Sequence, residues 1–154
     1  MNKLRLNKDG NIIVPLTQRN IVSVRGPDAT KFLQNLTSQD MRIFDNEKPE
    51  RAAVNACFLN PKGRVLFDAM IVKPQLAGQN GDEVEYWIDV ADLDTQDLML
   101  HMKKYALRKK IAVEDISHMI KSHQILLSNG LPGEQEDKSG NSFKSIPGHF
   151  FKII

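Results

Sequence analysis

The chain has 154 residues, 41% hydrophobic and 26% charged, which suits one globular domain able to bury roughly two-thirds of its surface without staples and excludes collagen-like, mucin-like and wholly disordered chains. Twenty-one Lys and Arg against nineteen Asp and Glu leave a formal +2, too small a surplus to argue for nucleic acid. No apolar run, the longest being short ones such as Ile12 to Val14 and Ile125 to Leu127, approaches the ~18 residues that span a bilayer, so no membrane span is expected.

The single cysteine, Cys57, rules out an internal disulfide and fits a reducing compartment. A zinc or iron–sulfur site takes about four ligands, so this chain alone supplies no cysteine-based one. Met1 to Gly10 carries Lys3, Arg5, Lys8 and Asp9 but no apolar core, so it does not read as a secretory signal. It is also too short and too poor in Ser and Arg for a mitochondrial transit peptide, with a cleaved or omitted one left open.

In chain order, Ile21 to Arg25 alternates as a strand, bounded by Asn20 and Gly26-Pro27. Pro27 then opens a helix: proline is pre-organised for a first turn, Asp28 favours its positive end, and Ala29, Phe32, Leu33 and Leu36 recur as one buried stripe. Thr37, Ser38 and Asp40 read as its frayed exit, and Asp45 to Glu50 as a polar linker. Ala52 to Leu59 and Arg64 to Lys73 form a hairpin about Asn60-Pro61-Lys62-Gly63, where Pro sets φ at the second position and Gly suits the fourth. After a loop from Gly78 to Asp82, Val84 to Val90 adds a third strand to this meander.

The longest helix is predicted over about Leu93 to Lys109. Leu93, Leu100 and Leu107 repeat every seven residues, with Leu98, Met102 and Tyr105 taken to fill the same broad face. Ile111 to Asp115 and Met119 to Leu127 read as two further strands. The order β-α-β-β-β-α-β plus one strand predicts an α+β fold with ferredoxin-like split β-α-β elements and an antiparallel meander. The expected organisation is a domain over 1–127, a flexible loop over 128–149 and an interrupted apolar element starting at 150–154.

The cluster Lys103, Lys104, Arg108, Lys109 and Lys110 follows Asp92, Asp94 and Asp97, the arrangement that complements a helix dipole rather than a phosphate site. His101, His118, His123 and His149 lack metal-ligand spacing, so no metal is expected. Asn35-Leu36-Thr37 fits the glycosylation pattern but lies inside a predicted helix. No Ser-His-Asp or Cys-His arrangement can be read from residue order alone, neither the P-loop nor the dinucleotide glycine fingerprint occurs, and Gly26-Pro27-Asp28-Ala29 reads as a structural strand-to-helix junction. Asp68 is the informative residue: a carboxylate in an apolar strand must face water or a partner. Alternation puts it with Leu66 and Met70, opposite Phe67 and Ala69.

Three spaced blocks, Val22-x-Val24-x-Gly26-Pro27-Asp28-Ala29, Phe32-Leu33-x-x-Leu36-Thr37-x-x-Asp40 and Leu59-Asn60-x-x-Gly63-x-x-x-x-Asp68, resemble the amino-terminal part of the folate-binding family. That family includes the glycine cleavage T-protein (aminomethyltransferase) and the YgfZ-type iron–sulfur assembly factors, and the likeness runs from about Ile21 to Ser117. Aminomethyltransferases carry two successive Asp in the second hairpin strand, the first meeting the folate; here those places hold Phe67 and Asp68. A phenylalanine cannot hold a reacting amine by charge or relay a proton, and the pattern is similar to the mitochondrial branch of the YgfZ-type group.

The resemblance implies an accessory factor in [4Fe-4S] protein maturation, more a non-catalytic factor than an enzyme. It implies a tetrahydrofolate-like ligand touching Asn60, Gly63 and Asp68, iron–sulfur assembly proteins as partners, and the mitochondrial matrix as location, or the cytoplasm in a bacterium. The alternatives are a folate-dependent aminomethyltransferase or related one-carbon enzyme, and a non-catalytic protein-interaction module. The group's downstream Lys-Gly-Cys-Tyr-x-Gly-Gln-Glu hallmark does not occur here, and Cys57 is not assigned its role.

Overall fold

The computed structural model describes residues 5–6, 12–45, 53–74, 84–126 and 150–153. Strands β1 (Arg5–Leu6), β2 (Ile12–Pro15) and β3 (Arg19–Arg25) lead into helix α1 (Ala29–Leu36) and a 3-10 turn, Met41–Phe44. The meander β4 (Ala53–Leu59), β5 (Val65–Val72) and β6 (Glu85–Ala91) follows. A 3-10 turn, Asp92–Asp94, then enters helix α2 (Thr95–Tyr105), ahead of β7 (Ala112–Asp115), β8 (Ile120–Leu126) and β9 (Phe150–Ile153).

The strands form two antiparallel sheets, a five-stranded one in the order β4-β5-β6-β3-β7 and a four-stranded one in the order β1-β2-β8-β9. Setting β6 aside, β4-β5-β3-β7 is the strand order of a split β-α-β unit, so β6 is the inserted strand of an α+β, ferredoxin-like fold. The expected linkers at 45–50, 78–82 and 128–149 lie, apart from Asp45, outside the described residues. Residues 150–153, where an interrupted element was expected to begin, form β9 and pair with β8 in the register Ile120 to Ile153 and His123 to Phe150. An apolar run can return to a sheet from far along the chain, which its position after a long polar stretch does not disclose.

The period-two alternation of the strands gives the larger sheet two apolar faces. On one, Val22, Val24, Phe58, Ile71 and Ile88 pack with the helices through Phe32, Leu33, Leu98 and Met102. On the other, Ile21, Val72 and Trp87 meet Ile116 from the turn after β7 and Ile120 from the start of β8. Helix α1 buries the stripe expected of it, Ala29, Phe32, Leu33 and Leu36. Asp28, however, does not cap that helix with its side chain; its Oδ2 accepts the Lys110 N–H at 2.8 Å and so ties the start of α1 to the segment before β7.

Helix α2 corrects one expectation. Leu93, Leu100 and Leu107 are 93%, 64% and 77% exposed, whereas Thr95, Leu98 and Met102 are buried. Leu98 and Leu100 stand about 200° apart around a helix that turns ~100° per residue, so they cannot share a face. No helix among the described residues is long and apolar enough to cross a membrane.

Candidate functional site: a cleft on the helix-free face

The β4–β5 hairpin builds the floor of the site. Its tip is fixed by Asn60, whose Oδ1 accepts the N–H groups of Lys62 at 2.9 Å and Arg64 at 3.0 Å. The Asn60 carbonyl also accepts the Gly63 N–H at 2.9 Å. Gly63 has φ +74 with open space where a Cβ would stand, so glycine serves the left-handed backbone and not a close approach.

Below the tip the ladder sets Cys57 opposite Asp68 and Asn55 opposite Met70. These four side chains floor a cleft of about 760 Å³, walled by residues 14–19 and by Ser38. Ser38 is more than the frayed exit expected of it: its Oγ accepts the Cys57 N–H at 3.0 Å and its own N–H donates to the Cys57 carbonyl at 2.8 Å. The loop after α1 thereby covers the outer edge of β4 where that edge would be unpaired. Cys57 is a free thiol, half-buried, and Asp68 is exposed.

The cleft wall is anchored by an ion pair that the linear sequence does not reveal. Arg19 Nε donates to Asp89 Oδ1 at 2.5 Å and its Nη2 to the Asp89 carbonyl at 2.9 Å, while the Ser122 hydroxyl donates to Asp89 Oδ2. The Asp89 side chain is 1% exposed and that of Arg19 28%, so both carboxylate oxygens of a buried acid are satisfied. Three strands, β3, β6 and β8, converge there.

The three residues expected to touch one ligand are not gathered in one place. Asp68 opens on the large cleft, whereas Asn60 borders a separate groove of about 290 Å³ beside Phe32, Leu36 and Tyr105. Gly63 is exposed at the hairpin tip. Phe67, next to Asp68, turns toward the helices, its ring 6.2 Å from that of His101, which in turn lies 5.0 Å from Tyr105. Burial pushes the His101 imidazole below its ordinary range, a hydrogen bond with the Leu59 backbone opposes that, and the Lys104 charge adds to it. Among the described residues no three His, Cys, Asp or Glu side chains converge as a metal site would require.

No protein-family model matches the chain. By sequence, it is 33% identical over 141 residues to the mitochondrial iron–sulfur cluster assembly factor IBA57 homolog of Dictyostelium discoideum, covering 82% of this chain and 34% of that protein. It is 39% identical over 106 residues to the corresponding homolog of Aspergillus oryzae, covering 65% of this chain and 24% of that protein. The chain thus spans about a third or less of the length of the curated relatives it matches. By structure, 73% of the chain superposes on 27% of the glycine cleavage system aminomethyltransferase T of Bartonella henselae, with a TM-score of 0.56 at 15% identity. Likeness in sequence to the one group and in fold to the other places the chain in the family of the IBA57 iron–sulfur cluster assembly factors, built on the aminomethyltransferase T fold.

Proposed function

We propose that the protein is an accessory factor in the maturation of [4Fe-4S] proteins, that it works in the mitochondrial matrix with other iron–sulfur assembly proteins, and that the cleft beside Asp68 takes a tetrahydrofolate-like ligand. The observation that carries the role is the identity shared with IBA57 homologues, named as mitochondrial iron–sulfur cluster assembly factors. The cluster is cargo in this reading: a lone half-buried thiol, Cys57, falls short of the about four ligands that a cluster takes, so the cluster's ligands come from other proteins and Cys57 is given no part in holding it.

The cleft suits a folate in size and lining. Its volume of about 760 Å³ falls within the ~300–1,000 Å³ usual for small-molecule sites. Apolar Val14, Pro15, Leu16 and Met70 are joined there by Asn55, Asp68 and the exposed part of Arg19. A carboxylate such as Asp68 accepts hydrogen bonds from a pterin ring, and an arginine attracts a carboxylate tail. Tetrahydrofolate would supply a carrier for a one-carbon unit. The chain's own contribution is to bind and orient it, because Phe67 faces the helices and brings no second carboxylate to the cleft.

Depletion of the protein in its own cells tests the role. Activities of [4Fe-4S] enzymes should fall while those of [2Fe-2S] enzymes hold; an equal loss of both, or of neither, would remove the proposal.

A further inference from the structure

We infer that the cleft takes its ligand across the strands, with a hydrogen-bond-donating end at Asp68 and a carboxylate at Arg19, which makes Arg19 the specificity-determining residue for that carboxylate. The inference rests on the proposal that a tetrahydrofolate-like ligand fills the cleft, and adds to it the direction of the bound ligand and the basis of selection.

Strand register places the two groups. Ala69 pairs with Val90, and Arg19 with Ala91, so Asp68, one step past the last β5–β6 pair, stands level with Ala91 and beyond it with Arg19. Residues level with one another on neighbouring strands share a face of the sheet. Ala69 and Val90 pack on the helix side, so Asp68, Ala91 and Arg19 belong to the helix-free side, where Asp68 and Arg19 line the cleft. Two strand spacings of ~4.8 Å put the Cα atoms of Asp68 and Arg19 about 10 Å apart. The strand between them contributes only the methyl group of Ala91 to this row, so no bulky side chain divides it.

The Arg19 guanidinium is only partly used within the chain. Its Nε and Nη2 donate to Asp89 at 2.5 and 2.9 Å, and the Ser122 hydroxyl occupies the other carboxylate oxygen of Asp89. Of the five N–H donors of a guanidinium, the two on Nη1 and one on Nη2 have no acceptor among the described residues. Nη1 is open to solvent, because the one buried side-chain N or O atom without a partner among the described residues is His101 Nε2. Asp89 and Ser122 are thus positioning residues that fix the guanidinium before a ligand arrives, which lowers the ordering cost of binding. A planar fork of free donors suits a carboxylate. Asp89 already balances the charge, so selection works through these directed donors. Asp68 cannot take the same end, since a carboxylate only accepts and repels another, and Arg19 is the one cation lining the cleft among the described residues.

Calorimetric titration of the full chain with tetrahydrofolate and with its diamide, in which both carboxylates are neutral amides, tests this. The wild type should bind the acid about tenfold more tightly than the diamide. Arg19→Gln should abolish that preference and leave the affinity for the diamide within about twofold. Arg19→Lys keeps a cation beside Asp89 but no planar fork, so it should reduce the preference at least about threefold, and it carries the test if the glutamine variant does not fold. Asp68→Ala should weaken acid and diamide alike, because it removes only the contact at the other end; unequal losses would contradict the direction of binding. Equal affinity of the wild type for the two probes, or a preference that survives at Arg19→Gln and Arg19→Lys, would overturn the inference and leave the folate proposal standing. Binding of neither probe would remove both.

Discussion

Arg19 and Asp89, 70 residues apart in the chain, meet at 2.5 Å with the acid almost wholly buried. One residue opens β3 and the other lies near the end of β6. The pair joins the wall of the large cleft to its sheet, and the Ser122 hydroxyl extends the link to the second sheet.

Asp89→Ala should therefore destabilise the fold by about 2–4 kcal/mol, since it strands a half-buried guanidinium and leaves the Ser122 hydroxyl without its acceptor. Asp89→Asn should cost less, because an amide oxygen still accepts from Arg19. Urea unfolding of the three proteins measures the differences. A loss below about 0.5 kcal/mol for Asp89→Ala, typical of unconstrained surface sites, would mean that the pair does not anchor the cleft.

Two glycines should respond differently to alanine. At Gly26, with φ +136, a Cβ would meet the Lys110 carbonyl oxygen at 2.3 Å, so Gly26→Ala combines backbone strain with a clash against rigid backbone and should cost about 2 kcal/mol or more. Gly63→Ala meets open space and carries only the left-handed penalty, about 1 kcal/mol. Equal losses in chemical denaturation would contradict the close approach between the α1 entry and the segment before β7.

His101 should make stability depend on pH. Burial holds its folded pKa below the ordinary 6.5, so as pH falls through that value the unfolded chain takes up the proton first. The contribution is fully present above about pH 6.5 and declines as pH drops toward and through the folded pKa. His101→Phe removes the titration while keeping a ring between Phe67 and Tyr105. The wild-type Tm should fall relative to that variant between pH 7.5 and 5, and parallel curves would show that His101 does not contribute.

Much of the fold was legible wherever one periodicity dominates. Ile21 to Arg25 alternates and becomes β3 (Arg19–Arg25), the apolar positions of α1 recur at helical spacing and are buried, and the Asn60 to Gly63 turn follows from its residue types. Strand β2 escaped notice although Ile12, Ile13 and Val14 form an apolar run. A strand of four residues is too short to announce its period, and its partner β8 lies more than 100 residues on. The leucines of α2 misled because a seven-residue repeat identifies a stripe without saying whether it faces the core.

At the site, Asp68 could be singled out as a charge in an apolar strand, and alternation correctly set it apart from Phe67. Its separation from Asn60 could not be read: eight residues along a hairpin become opposite sides of a sheet. Arg19 and Asp89 carried no local signal at all, because each acquires its meaning only when β3 pairs with β6.

The claim at the centre of this account is that the cleft floored by Asp68 holds a folate. Calorimetric titration of the full chain with tetrahydrofolate, on the wild type and on Asp68→Ala, tests it most directly. The exposed site makes Asp68→Ala neutral for stability within about 0.5 kcal/mol, so any lost binding reports the contact itself. The account predicts saturable binding to the wild type, a matching rise in Tm by mass action, and binding at least about tenfold weaker in the variant, as expected on losing a charge-assisted hydrogen bond. No heat of binding by the wild type, or equal affinity for both proteins, would contradict it.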